Sequence, residues 1–358
     1  MVQPSESSIL QALASYVVPY LQCDLVTAKA VSHLQVQGQT VTVAIRLGFP
    51  LNIPTQKSFV AAIQHAILQV PGVKTVDVQL TWKIASHGAG ILRVSNLIAV
   101  ASGKGGVGKS TTAVNVAVAL AEEGARVGLL DADIYGPNQP QMLGIHEKPA
   151  IGPDKKFIPI ARHGIVSMSM GYLVTAETPM IWRGPMMSSA LQQLLQETAW
   201  GDLDYLIIDL PPGTGDIPLT LAKKFRLSGA VIVTTPQTIA LLDVQKGIEM
   251  FRKVQVPILG LIENMVHYTC AQCGHTEAIF GMGGGERMAQ TYAVPLLGQL
   301  PLMTEIRAEA DRGVPFVVSQ PDSQVASTYR DITRNLAARL SLQPIRHESK
   351  FPKVVVET

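Results

Sequence analysis

Cysteine is nearly missing from this chain: Cys23, Cys270 and Cys273 are the full set in 358 residues. An odd, sparse set of that kind excludes a disulfide framework. Charge is thin as well. With 16% charged residues and a formal net charge of +2, the chain has no strong electrostatic footprint, so neither a nucleic acid nor an anionic membrane is expected as a partner. No stretch approaches the roughly 18 consecutive apolar residues that cross a bilayer. The opening Met1-Val2-Gln3-Pro4-Ser5-Glu6 lacks the basic and apolar regions of a secretion signal. These absences lead to the expectation of a soluble cytoplasmic protein, long enough for two domains of which the larger can bury a sizeable core.

Pattern along the chain divides it. Residues 1–85 read as a small α+β unit, with helices over Ser7 to Val17 and Gln56 to Gln69 and strands over Ala30 to Val36, Thr40 to Leu47 and Val73 to Trp82. Residues 86–95, opening on Ser86-His87-Gly88-Ala89-Gly90, read as a linker. From there to residue 342, apolar strands alternate with helical segments. The strands are expected over Leu97 to Ala101, Arg126 to Asp131, Ile165 to Met170, Tyr205 to Asp209, Ala230 to Thr235, Ile258 to Glu263 and Leu296 to Gln299, with a closing helix over Ser323 to Leu340. Continuous Val, Ile and Leu runs separated by helices imply an α/β fold with a mostly parallel sheet covered on both faces. Residues 343–358 read as a polar tail.

The strongest local signal is Gly103-Lys104-Gly105-Gly106-Val107-Gly108-Lys109-Ser110-Thr111, set between the run Leu97 to Ala101 and the helical pattern Ala113 to Leu120. Strand, glycine loop and helix are the context of a phosphate cradle. Backbone N–H groups and the helix N-terminus face an anion, Lys109 reaches the β and γ phosphates, and the Ser110 hydroxyl can ligate magnesium. The same residues also satisfy G-x-G-x-x-G as Gly103, Gly105 and Gly108, with Asp131 ending the next strand 23 residues after Gly108. A dinucleotide site needs neither the cation nor the metal ligand that Lys109 and Ser110 supply. A second strand, Leu206-Ile207-Ile208-Asp209, ends in a carboxylate suited to magnesium, and a metal-bound triphosphate is therefore favoured.

Ligands of such sheets bind beyond the carboxyl ends of the strands, where the phosphate loop, Asp131, Asp133, Asp209 and Asn264 all fall. Asp131 or Asp209 is the candidate to fix the magnesium shell, and Asp133 the candidate to orient the attacking water. No glutamate stands beside Asp209 as a general base, so slow turnover is expected. Asp216 reads as a cap for the helix after it, and Gly213-Thr214-Gly215 as a segment able to sense the γ phosphate. Cys270 and Cys273 offer two thiolates, half of a tetrahedral set. His267 and His275 can complete a zinc set within one chain, and a redox dithiol is a further reading.

The glycine loop with its early lysine resembles the deviant Walker A motif of the MinD, ParA and nitrogenase iron protein class, in which a positioning ATPase of the MinD/ParA kind or a nucleotide-dependent redox component is the alternative reading. Adding Asp131-Ala132-Asp133-Ile134-Tyr135-Gly136-Pro137, Asp209-Leu210-Pro211-Pro212-Gly213-Thr214-Gly215-Asp216, Ile262-Glu263-Asn264-Met265 and Cys270-Ala271-Gln272-Cys273, the chain from about Asn96 to about Ser341 resembles the Mrp/ApbC family of iron–sulfur cluster carrier ATPases. The resemblance implies that Lys104 crosses a homodimer interface to touch the partner's nucleotide, that Asn264 reads the adenine edge, and that Pro301 lies near the base. It also implies that the cysteine pairs of two copies share one [4Fe–4S] cluster, delivered to apo iron–sulfur proteins and received from an assembly scaffold. Asn138-Gln139 stands where that family has a serine and an apolar residue, a change expected to tune nucleotide binding. Residues 1–85 resemble the SufT-like unit of such proteins but lack its Asp-Pro-Glu element and the cysteine expected near Leu47 to Pro54, which makes partner docking the expected role. Cys23, Met168, Met170, Met180, Met186 and Met187 read as packing residues. Arg183, in Trp182-Arg183-Gly184-Pro185, is a candidate to pair with a phosphate or a partner carboxylate.

Overall fold

The computed structural model describes residues 3–88, 93–173 and 184–344. Expectations attached to Ala89, Gly90, Met180, Trp182, Arg183 and the tail beyond residue 344 lie outside them.

The first unit contains α1 (Glu6–Ser15), the short pair β1 (Val17–Val18) and β2 (Cys23–Asp24), then β3 (Val31–Gln37), β4 (Thr40–Leu47), α2 (Ile53–Leu68) and β5 (Thr75–Trp82). Ser5 and Ser8 form a capping box that starts α1. Strands β3 and β4 pair antiparallel across a two-residue turn, and β5 pairs parallel with β4 after the chain crosses through α2. Alternation along β4 sends Val41, Val43, Ile45 and Leu47 into the core, where Phe59, Ile63 and Ile67 arrive from one face of α2. Cys23 is packed against the same core as a free thiol. Phe49 and Leu51, in the stretch where a cysteine was expected from the resemblance, are buried apolar residues instead.

The larger unit runs β6 (Val94–Ser102), α3 (Lys109–Glu122), β7 (Val127–Asp131), α4 (Gln139–Leu143), β8 (Ile160–Arg162), β9 (Ile165–Ser169), α5 (Gly184–Glu197), β10 (Leu203–Asp209), α6 (Asp216–Lys224), β11 (Gly229–Thr234) and α7 (Thr238–Lys253). It continues with β12 (Ile258–Glu263), β13 (Tyr268–Thr269), β14 (Thr276–Glu277), α8 (Gly284–Tyr292), β15 (Leu296–Gln299), α9 (Thr304–Arg312), α10 (Phe316–Ser319) and α11 (Gln324–Ser341). Eight strands form one sheet in the order β15-β12-β11-β6-β10-β7-β9-β8, parallel throughout except for β8. All seven expected strands are present. The edge strand β8 was not foreseen, because three residues without alternation carry no strand signal, and its pairing is decided by the turn at His163 and Gly164.

Strand β6 is central, with β10 and β11 on either side. Nearly every residue of β6, β10 and β11 is buried, as a sheet covered on both faces requires. Helix α3 packs over β7 and β10 and against α11, while α7 lies against β6 and β11. Because β10 inserts between β6 and β7 and the chain then crosses to β11 on the far side, the carboxyl end of β6 opens onto a crevice, the standard ligand position in such sheets. Helix α6 begins at Asp216 with the extended Gly215 as its N-cap. The capping position expected of Asp216 therefore falls one residue earlier.

The two units meet at Glu123, the C-cap of α3. Its carboxylate accepts from the backbone and side-chain nitrogens of Asn52 at 2.8 and 3.2 Å and from Arg334 Nη2 at 2.7 Å. Asn52 is also the N-cap of α2, so the helix that leaves the phosphate loop ends on the first unit.

Candidate functional site

The loop after β6 turns sharply into α3. Gly106 and Gly108 sit at φ 80° and 83°, in the left-handed region open mainly to glycine. Gly108 is the N-cap of α3, and no side chain caps that helix, so its first N–H groups face an anion site. At Gly108 a Cβ would also overlap the amide nitrogen of Asn264.

Lys109 opens α3 pointing inward. Its Nζ donates to Asp209 Oδ1 at 2.5 Å and to Ser110 Oγ at 3.2 Å, with lysine and aspartate side chains only 6% and 0% exposed. Asp209 ends β10 and stands in register beside Asp131, which ends β7. The two carboxylates are neighbours because parallel pairing puts both strand ends at the same height. Asp131 Oδ1 accepts from the backbone of Asp133, and its Oδ2 accepts from the backbone of Gln139 and from Ser169 Oγ. Burial, and then the charge of Asp209, nevertheless push Asp131 up to about 8. Asp133, half-buried two residues beyond β7, is raised chiefly by burial, with Lys109 pulling the other way and Asp209 adding to the rise. A carboxylate so raised is a better proton acceptor and hydrogen-bond partner for water.

Lys109 thus meets one carboxylate and a hydroxyl in a buried pocket, with Asp131 in register beside Asp209 and the half-buried Asp133 close by. Ser110, Asp131 and Asp209 are hard oxygen donors of the kind that could hold a small divalent cation.

Sequence reasoning marked Gln139 only as a departure from the resembled family that tunes nucleotide binding, and it missed Gln237. Gln139, the first residue of α4, bridges Ser110 O and Asp209 Oδ2 through Nε2 at 3.1 and 2.8 Å. Its Oε1 has no partner. The available signal was a glutamine eight residues after Asp131, where an apolar residue was expected. Lys104 is half-buried and its Nζ donates to Gln237 Oε1 at 3.2 Å, while its backbone oxygen accepts from Ser102 Oγ. Gln237 is the N-cap of α7 and carried no motif. The loop at Gly213 is tied to the start of the phosphate loop by its N–H donating to Ser102 O at 2.8 Å.

Asn264, the residue after β12, donates from Nδ2 to Val107 O at 2.9 Å and accepts from the backbone of Met265 at 3.0 Å. Met265 takes φ 60°, a turn that redirects the chain. Buried Glu263 beside it accepts from Gly285 N, at the start of α8, and from Gln299 Nε2. Leu300 N donates to Glu263 O at 2.9 Å, which sets Pro301 next to this strand end. Between β12 and α8 the chain makes a small excursion whose base is the β13–β14 hairpin.

Cys270 and Cys273 occupy the tip of that hairpin, closed by Cys270 N donating to His275 O and Gly274 N donating to Cys270 O, each at 2.9 Å. Hydrogen bonds from the backbone of Cys273, the backbone of Gln272 and the Cys273 thiol hold the Cys270 thiol below its ordinary range. His267 and His275 are exposed. Among the described residues no three His, Cys, Asp or Glu side chains are grouped to hold a metal. The zinc set considered for a single chain is therefore not formed: the hairpin presents two sulfurs and no converging imidazoles.

The sequence model of a family described as NUBPL iron-transfer P-loop NTPase matches residues 93–337, and one described as iron-sulfur cluster assembly protein matches residues 6–78. The iron-sulfur cluster carrier protein of Salmonella typhimurium is 49% identical over 340 residues, covering 92% of this chain and 91% of that protein. That of Pseudomonas fragi is 56% identical over 277 residues, covering 75% of this chain and 96% of its own length. Among solved structures, a nucleotide-binding protein from Archaeoglobus fulgidus in complex with ADP superposes with a TM-score of 0.57 at 36% identity, over 65% of this chain and 91% of that one. The cell division ATPase MinD of Pyrococcus furiosus superposes at 0.51 with 20% identity, over 67% of this chain and 97% of its own, a likeness of fold alone.

Proposed function

The chain belongs to the family of NUBPL iron-transfer P-loop NTPases, and from that membership we propose that it is an ATP-binding, slowly hydrolysing homodimer that carries a [4Fe–4S] cluster between its two copies and delivers it to apo iron–sulfur proteins. One observation carries this reading: Asn264 is bonded to the phosphate loop, and the chain runs from it directly into the hairpin that presents Cys270 and Cys273. Two thiolates from each of two copies complete the four ligands of a cubane. A hinge shared with the nucleotide loop lets nucleotide state alter how firmly the two pairs are held.

At the nucleotide, Gly103, Gly105, Gly106, Val107, Gly108 and Thr111 form the loop and first turn that surround the phosphates. Lys109 exchanges Asp209 for the β and γ phosphates, with Ser110, Asp131 and Asp209 around the metal. Magnesium supplies charge compensation for the phosphates. Asp133 orients the attacking water. Lys104 leaves Gln237 and reaches the partner copy's nucleotide, where a cation delivered on closure offsets charge developing on the transferred phosphoryl group. Asn264 and Pro301 border the base.

Residues 1–85, which precede the ATPase whose first strand begins at Val94 and not at residue 96, act as a docking unit for client proteins or an assembly scaffold. The setting is the cytoplasm; none of the described helices is long and apolar enough to cross a membrane. Anaerobic reconstitution with iron and sulfide, followed by counting both, tests the proposal. About four iron and four sulfide per dimer are expected, with loss in Cys270→Ala and in Cys273→Ala; a full cluster in either variant overturns it.

A further inference from the structure

Gln139 is shut away from solvent, 1% exposed, in the pocket formed by Ser110, Asp131 and Asp209. Its backbone N–H donates to Asp131 Oδ2 at 3.2 Å, and its Nε2 donates to both Ser110 O and Asp209 Oδ2. These two acceptors settle the orientation of the amide. Turning it over would set Oε1 against a carbonyl and a carboxylate, with no proton between them. The oxygen is therefore held in place, and it is one of only three buried side-chain N or O atoms among the described residues without a partner. A buried acceptor in a polar pocket calls for a donor.

Among the described residues no protein donor of the pocket reaches this oxygen. Lys109 Nζ is taken by Asp209 and Ser110, Ser169 Oγ donates to Asp131, and the backbone N–H of Asp133 does the same. A nucleotide bound with its metal would bring such a donor, since water on the ion has strongly polarised O–H groups. We propose that Gln139 belongs to the outer shell of the nucleotide's magnesium, its Oε1 accepting from a metal-bound water while its Nε2 steadies Asp209. The inference rests on the proposed reading of this pocket as a magnesium–nucleotide site.

The two ends of one amide then serve the exchange of Lys109. Asp209 is held by Lys109 at Oδ1 and by Gln139 at Oδ2. When the lysine moves to the phosphates, the glutamine keeps the carboxylate from swinging, and its oxygen registers the arrival of the ion. Gln139 is a positioning residue, and its signature is metal affinity within the nucleotide complex.

The test follows binding of mant-ADP by fluorescence, first in EDTA and then with increasing MgCl2. In the wild-type protein Mg2+ tightens mant-ADP binding. Measured against each variant's own affinity in EDTA, Gln139→Leu raises the half-saturating Mg2+ concentration about tenfold or more, the range seen when a partner just outside a metal's ligands is lost. Gln139→Glu loses the donor to Asp209 and keeps an oxygen toward the ion, so its Mg2+ requirement rises less than that of Gln139→Leu. A wild-type Mg2+ requirement in Gln139→Leu, or an equal rise in the Leu and Glu variants, overturns the inference while leaving the nucleotide site intact. Absence of any Mg2+ effect in the wild-type protein overturns the site reading and the inference with it. Should thermal unfolding show that Gln139→Leu does not fold, Gln139→Met, closer in shape, takes its place with the same expected outcomes.

Discussion

The amide nitrogen of Asn264 lies 2.9 Å from the carbonyl oxygen of Val107 and donates to it, which fastens the end of β12 to the inside of the phosphate loop. Cys270 follows six residues later. The phosphate loop and the segment leading to the cysteine hairpin are therefore joined through Asn264, and the turn at Met265 redirects the chain there.

Removing either side of this contact has distinct consequences. Asn264→Ala strands the Val107 carbonyl and is expected to weaken ADP binding about tenfold, the effect of one buried hydrogen bond of about 1.4 kcal/mol. Gly108→Ala meets both a left-handed backbone and the Asn264 amide and is expected to abolish ADP binding. Gly105→Ala, with nothing within 4 Å of the added carbon, keeps the wild-type thermal midpoint. Calorimetric titration with ADP and thermal unfolding check the set; wild-type ADP affinity in Gly108→Ala would contradict it.

Lys109 and Asp209 make a second test. Breaking a buried ion pair by removing one partner costs about 3–5 kcal/mol, so Lys109→Ala should lower the stability of the nucleotide-free protein by about that much. The double variant Lys109→Met/Asp209→Asn leaves no buried charge of the pair and should recover more than half of the loss. Urea unfolding of Lys109→Met, Asp209→Asn and the double variant gives the coupling; strictly additive effects would show that the two groups do not depend on each other.

Asp131 sets a pH dependence with a definite sign. Its folded carboxyl, pushed up to about 8, keeps a proton that the unfolded chain releases near the ordinary value of 3.8. Between those values the folded chain binds more protons, so stability of the nucleotide-free protein falls as pH rises through that window. Asp131→Asn, which cannot ionise, should flatten the fall. Urea midpoints measured across the window in the absence of nucleotide decide it, and a rise with pH would refute the assignment.

The cysteines are expected to differ in reactivity. Hydrogen bonds lower the Cys270 thiol, while burial and then the charge of Asp24 raise that of Cys23. Alkylation by iodoacetamide followed by peptide mass spectrometry should label Cys270 at lower pH than Cys23, because the thiolate is the reacting species. Equal pH profiles at the two positions would contradict this.

Much of the fold could be read from the chain because its strands are long apolar runs and its loop glycines stand at a motif spacing. Asp131 and Asp209 were legible as strand ends, and parallel register alone then makes them neighbours. What escaped was set by contacts far apart in sequence: Gln237 holding Lys104, Glu263 holding α8, and Glu123 joining Asn52 to Arg334. The β13–β14 hairpin escaped for another reason. Two residues on each side are too few to show a period, and only pairing reveals them.

By itself the order of residues determined the alternation of strand and helix, the phosphate-binding loop and the closely spaced thiols, since each is a local pattern with a local physical cause. Tertiary structure alone decided that Lys109 rests on a carboxylate a hundred residues away, that Gln139 turns an unpartnered oxygen into the same pocket, and that Asn264 binds the loop it serves. Those are facts of strand order and burial, and a side chain's partner across a sheet is fixed only when the sheet is assembled.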